Sequence, residues 1–135
     1  MSKIRALIID DDESFLDLTR IFLEKIDNNL EIMLFTSPYE ALALLKANNI
    51  DVVVSDYIMP GLNGLELLQE IRKMGNTIPF ILLTGMPGVD TKRRALNLGA
   101  NSYIEKMANV HLLFQKMAEL IIKCFNKEIT NHFGN

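Results

Sequence analysis

Asp10, Asp11 and Asp12 stand together directly after an apolar run; Asp56 and Thr84 each end another, and Lys106 follows a fourth. Carboxylates crowded into one place repel one another, so such a cluster needs a cation. A hard divalent ion suits oxygen ligands, and Mg²⁺ typically takes one or two protein carboxylates and keeps positions for water and phosphate oxygens. An ammonium and a hydroxyl beside that set would hold the equatorial oxygens of a phosphoryl group while a carboxylate attacks phosphorus. Residue types and spacing therefore reach phosphoryl transfer. They leave open which aspartate is the acceptor.

Those groups meet only if the fold gathers them. Apolar runs at 4–9, 32–35, 52–54, 80–83 and, more weakly, 102–104 alternate with longer segments of helical spacing. The runs are rich in Ile, Val, Leu and Phe with little alternation, as strands covered on both faces are. Strand alternating with helix implies βαβ crossovers and a doubly wound α/β fold around a parallel sheet. Ser37-Pro38-Tyr39-Glu40 predicts a capping box with Pro at the first helical position, and Asn63 with Glu66 predicts another. Gly99 predicts the stop of a helix begun near Gly88, and Asn109 the cap of the last helix. In that helix Val110, Leu113, Phe114, Met117, Leu120, Ile121 and Phe125 repeat at three and four, which gives it one sheet-facing side.

Five strands and five helices fill residues 1–126 as one domain, while residues 127–135 lose the apolar pattern and are expected to fray. Ligands of a doubly wound sheet sit beyond the carboxyl ends of its strands. Those ends are Asp10-Asp11-Asp12, Ser55-Asp56, Leu83-Thr84-Gly85 and Glu105-Lys106. Four distant parts of the chain thus deliver their polar groups to one edge.

A chain of 135 residues has room for one compact core. Its net charge of −3 gives no general argument for nucleic acid or membrane as partner. The single cysteine, Cys124, excludes an internal disulfide, and no Cys/His cluster offers a zinc set. The apolar start is too short for a signal peptide, and no stretch approaches the roughly 18 apolar residues of a membrane span. A soluble, cytoplasmic protein is expected.

Four segments carry a family resemblance: ALIIDDDE at 6–13, DVVVSDYIMPGLNG at 51–64, ILLTG at 81–85 and GANSYIEK at 99–106. Their order and spacing resemble the receiver domains of two-component response regulators over residues 3–126. The resemblance implies a flavodoxin-like sheet of strand order 2-1-3-4-5 and a phosphoacceptor at Asp56. It implies a Mg²⁺ site, with Mn²⁺ an acceptable substitute, formed by Asp10, Asp11, Asp56 and the main-chain carbonyl of Ile58. Thr84 and Lys106 are implied as phosphoryl contacts, and Thr84 with Tyr103 as the switch. Asp12 stands one place beyond the usual pair and is left out of the site.

The same resemblance implies phosphorylation by a histidine kinase or phosphotransfer protein, and a phosphorelay switch that catalyses only its own phosphorylation and dephosphorylation. No output domain is expected, so the helix 4–strand 5–helix 5 surface would act on a separate effector, as a monomer or a phosphorylation-favoured dimer. Lys92, Arg93 and Arg94 offer that surface a basic patch. Two departures stand out. Met107 follows Lys106 where the family usually has proline, and a cis bond there would cost ~3–4 kcal/mol. Ile58 and Met86 are apolar where polar side chains can help orient the attacking water, which predicts a long-lived acyl phosphate.

Two rival functions are open to the same residues. Asp10-Asp11-Asp12 after an apolar strand also resembles the nucleophile motif of haloacid-dehalogenase-type phosphatases. Ser14 departs from that motif, no acidic pair follows strand four, and Asp56 would be left without a role. A receiver fold used purely as an interaction module is the other rival; the complete set Asp10, Asp11, Asp56, Thr84 and Lys106 argues against it. His111 and His132 have no partner visible in the sequence.

Overall fold

The computed structural model describes residues 3–47, 49–85 and 88–133, with side chains as far as Glu128. Five strands, β1 (Ile4–Ile9), β2 (Leu30–Phe35), β3 (Val52–Asp56), β4 (Phe80–Thr84) and β5 (Ser102–Glu105), alternate with five helices. The helices are α1 (Glu13–Ile26), α2 (Pro38–Ala47), α3 (Gly64–Lys73), α4 (Val89–Asn97) and α5 (Val110–Phe133). The strands are parallel and ordered β2-β1-β3-β4-β5, as expected.

Strand parity divides the core into two layers. Ile4, Ala6, Ile8, Val52, Val54, Ile81 and Leu83 face α1 and α5, where they meet Leu16, Leu23, Leu113, Phe114, Met117 and Ile121. Leu7, Ile9, Val53, Phe80 and Leu82 face the other way, onto Ala41 and Leu45 of α2, Leu68 and Ile71 of α3, and Ala95 of α4. Every residue of β3 and β4 is buried, which explains why these runs carry no polar alternation. Each fully buried Leu, Ile or Phe contributes roughly 2 kcal/mol of transfer free energy.

The caps fix where the loops begin. Asn63 and Glu66 form the expected capping box on α3, each accepting the other's backbone N–H. Asn109 accepts from Leu112 N–H at 3.1 Å and so caps α5. Gly99, at φ +102°, ends α4 in a Schellman motif: its N–H reaches Leu96 O and the Ala100 N–H reaches Ala95 O. At α2 the Ser37 hydroxyl accepts from Tyr39 N–H at 3.2 Å, the second residue of the helix and not the third as in a capping box.

Of the tail at 127–135, residues as far as Phe133 belong to α5. No Gly or Pro interrupts the chain before Gly134, so the residue types there allow the helix to continue.

Candidate functional site

Strand register brings the polar residues together. Ile9 lies level with Ser55, so the next residues, Asp10 and Asp56, emerge side by side. Asp56 lies level with Leu83 and Thr84 with Glu105, which sets Thr84 and Lys106 each one step further along. The Lys106 N–H donates to Thr84 O at 2.8 Å and pins the start of the β5–α5 loop to β4. No described peptide bond is cis, so Met107 follows Lys106 through a trans bond.

At this edge Asp10, Asp11 and Asp56 place carboxylate oxygens within 4.8 Å of one another. Asp10 and Asp56 are buried and Asp11 is exposed, so the cluster is open on one side. Lys106 Nζ lies 3.0 Å from Asp10 Oδ2 and 3.4 Å from Asp56 Oδ1. The other Asp10 oxygen accepts from Asp12 N–H at 2.9 Å. Both oxygens of Asp10 are therefore engaged. Asp12 itself caps α1 by accepting from Phe15 N–H, the work of a helix-entry residue and not of a ligand.

The electrostatics are frustrated. Burial, and then the negative charge of Asp10, push the Asp56 carboxyl up to about 6, against the pull of Lys106. Burial alone would lower the Lys106 ammonium, but its hydrogen bond and charge contact with Asp10, and then Asp56, raise it above its ordinary value. Two of the three carboxylates share one ammonium, and a second cation would relieve the excess. The all-oxygen donor set and its open side fit a hard divalent ion.

The remaining predicted residues take distinct places. Thr84 is buried at the end of β4. Tyr103 is half-buried, and its hydroxyl is shielded from solvent without a hydrogen-bond partner among the described residues. Ile58 carries an exposed side chain at the rim, while Met86 lies outside the described residues. Lys92, Arg93 and Arg94 are all exposed on α4. Lys92 lines a cavity of about 320 Å³ together with Tyr103 and Glu105, and Arg93 lies 4.0 Å from Asp90, so the patch is partly neutralised.

Phe15 is the residue that sequence reasoning missed. Its ring lies beneath Lys106, with Nζ 4.5 Å from the centroid. The available signal was its place three residues after the Asp12 cap, which turns it back toward the sheet edge. Among the described residues, no helix is long and apolar enough to cross a membrane.

Residues 6–118 match a family model described as the response regulator receiver domain. The chain is 32% identical over 118 residues to the response regulator MprA of Mycobacterium sp. (strain KMS), covering 87% of this chain and 50% of that protein. It is also 32% identical over 117 residues to the response regulator SaeR of Staphylococcus aureus (strain USA300), with the same two coverages. The chain spans about half the length of these relatives. A solved receiver domain protein from Clostridium thermocellum superposes with a TM-score of 0.80 at 30% identity, covering 93% of this chain and 96% of that one. A CheY-like receiver domain protein from Methanospirillum hungatei JF-1 gives 0.78 at 29%, covering 93% and 99%.

Proposed function

The chain belongs to the response regulator receiver domain family of two-component signalling, and we propose that it is a Mg²⁺-dependent switch phosphorylated on Asp56. The observation that carries this reading is the meeting of three carboxylates and one ammonium at the carboxyl ends of β1, β3 and β5.

Asp10, Asp11, Asp56 and the Ile58 carbonyl would hold the ion, which supplies positive charge to the carboxylates and to the incoming phosphoryl oxygens. The donor is a phosphohistidine on a histidine kinase or phosphotransfer protein. An Asp56 carboxylate oxygen bonds to phosphorus as the P–N bond breaks, and the departing imidazole nitrogen keeps the electron pair. Lys106 neutralises charge on the phosphoryl oxygens, and the Thr84 hydroxyl donates to one of them.

The new anion rewards an arrangement in which Thr84 and Lys106 close on it. The Tyr103 hydroxyl, which has no hydrogen-bond partner among the described residues, supports a switch at that point, because a buried donor without a partner costs ~1–3 kcal/mol and a rearrangement that satisfies it competes well. The outward consequence is an altered α4–β5–α5 face, with Lys92, Arg93 and Arg94 at its edge, read by a downstream protein. The setting is the cytoplasm, in keeping with a free Cys124.

Incubation with Mg²⁺ and acetyl phosphate or phosphoramidate, followed by intact mass measurement, tests the reading. One phosphoryl group should be gained, and lost in Asp56→Asn. Labelling at Asp10 with turnover would establish the phosphatase instead. A chain that stays unmodified would be a pure interaction module.

A further inference from the structure

We propose that Phe15 is a positioning residue that holds the Lys106 ammonium over the phosphorylation site by the face of its ring; this rests on the receiver reading above. Lys106 ends a flexible four-carbon stem, and the residue after it is Met107, so no proline ring stiffens the turn it leaves from. Three contacts around Nζ compensate: Asp10 at 3.0 Å, Asp56 at 3.4 Å and the Phe15 ring centroid at 4.5 Å. The stem also runs past Gly85, where an added Cβ would lie 3.9 Å from Lys106 Cδ.

The ring differs in kind from the two carboxylates. A cation is attracted to the negative face of an aromatic ring, yet the ring carries no net charge. Phe15 therefore orders the ammonium without neutralising it, and leaves its charge for phosphoryl oxygens. A carboxylate in the same place would compete with the phosphoryl group for the lysine.

Phe15 is itself held firmly. The Asp12 cap fixes its backbone N–H. Its ring meets that of the fully buried Phe114 at 5.5 Å, and Phe114 stacks on Phe22 at 5.2 Å. Phe22 in turn receives the His111 ring edge-on at 4.8 Å. The packing of α1 on α5 thus sets the height of the surface on which Lys106 rests.

The test separates the ring's charge distribution from its shape. Wild type, Phe15→Leu, Phe15→Tyr and a chain with pentafluorophenylalanine at position 15 are phosphorylated with acetyl phosphate at saturating Mg²⁺, and the rate is read by intact mass. In the metal-free proteins, NMR follows the ε-methylene protons of Lys106. Wild type and Phe15→Tyr should show these protons shifted by the ring current, with phosphorylation rates within two-fold of each other. The pentafluoro chain keeps the shape but reverses the polarity of the ring face, and should slow about five-fold, as should Phe15→Leu.

A pentafluoro chain as fast as wild type overturns the proposal. So does a wild-type spectrum without the shifted Lys106 signal, even if Phe15→Leu does not fold. Failure of the receiver reading looks different: the wild type itself then takes up no phosphoryl group.

Discussion

Where β4 and β5 begin, the Arg72 guanidinium donates to the carbonyls of Asn76, Ile78 and Gly99, and lies 3.4 Å from Asn101 Oδ1. That Asn101 oxygen also accepts from Phe80 N–H at 2.9 Å. At the other end of the same strands three carboxylates gather, Lys106 contacts two of them, and burial with the charge of Asp10 pushes Asp56 up to about 6. One end satisfies loop carbonyls with a cation that has donors to spare. The other gathers like charges that burial makes worse. Stability is built at the first and given up at the second, as expected where a site must keep capacity for a ligand.

The largest effect should come from breaking the Arg72 end. Arg72→Met leaves several carbonyls short of donors and should cost about 3 kcal/mol in urea unfolding, while the wild-type rate of phosphorylation by acetyl phosphate persists in the folded protein. Loss of that rate at full folding would show that the two ends are coupled. At the acidic end the sign reverses. Asp56→Asn removes a buried like charge and should stabilise the metal-free protein by about 2 kcal/mol at pH 7.5, while abolishing phosphoryl uptake and weakening stabilisation by Mg²⁺.

The pH dependence sharpens this. Because the folded-state value of Asp56 lies above the ordinary 3.8, the folded protein binds the proton more tightly than the unfolded chain. This group therefore costs nothing below about pH 4, lowers stability as pH rises towards 6, and adds no further cost above that. The stability difference between metal-free Asp56→Asn and wild type should accordingly grow from near zero at pH 4 to its full size by pH 7. A difference independent of pH would mean that Asp56 is not held at a raised value. The smallest effect concerns the rim: Ile58→Asn should shorten the lifetime of the acyl phosphate several-fold in Mg²⁺ buffer, and an unchanged decay would reject the role given to the apolar side chain.

Much of the fold was legible because its signals are local. Apolar runs without alternation required strands covered on both faces, and Asn63, Gly99 and Asn109 marked helix ends through bonds that span only a few residues. The meeting of Asp10, Asp56 and Lys106 followed from one topological rule about strand ends. The apolar stripe of α5 ends before the helix does, because a stripe records contact with the core, whereas helicity needs only an uninterrupted backbone. Ser37 has the residue type of a capping box, but its hydroxyl takes the Tyr39 N–H, one residue earlier than that motif requires.

Residue order alone is enough to say which groups lie at the strand ends, since strand length and side-chain type are written along the chain. How they share charge came from packing: Asp10 has both oxygens engaged, Asp56 is raised, and Phe15 lies under Lys106. Those facts depend on burial and on distances of a few ångströms between segments far apart in the chain, and residue order carries no direct record of either.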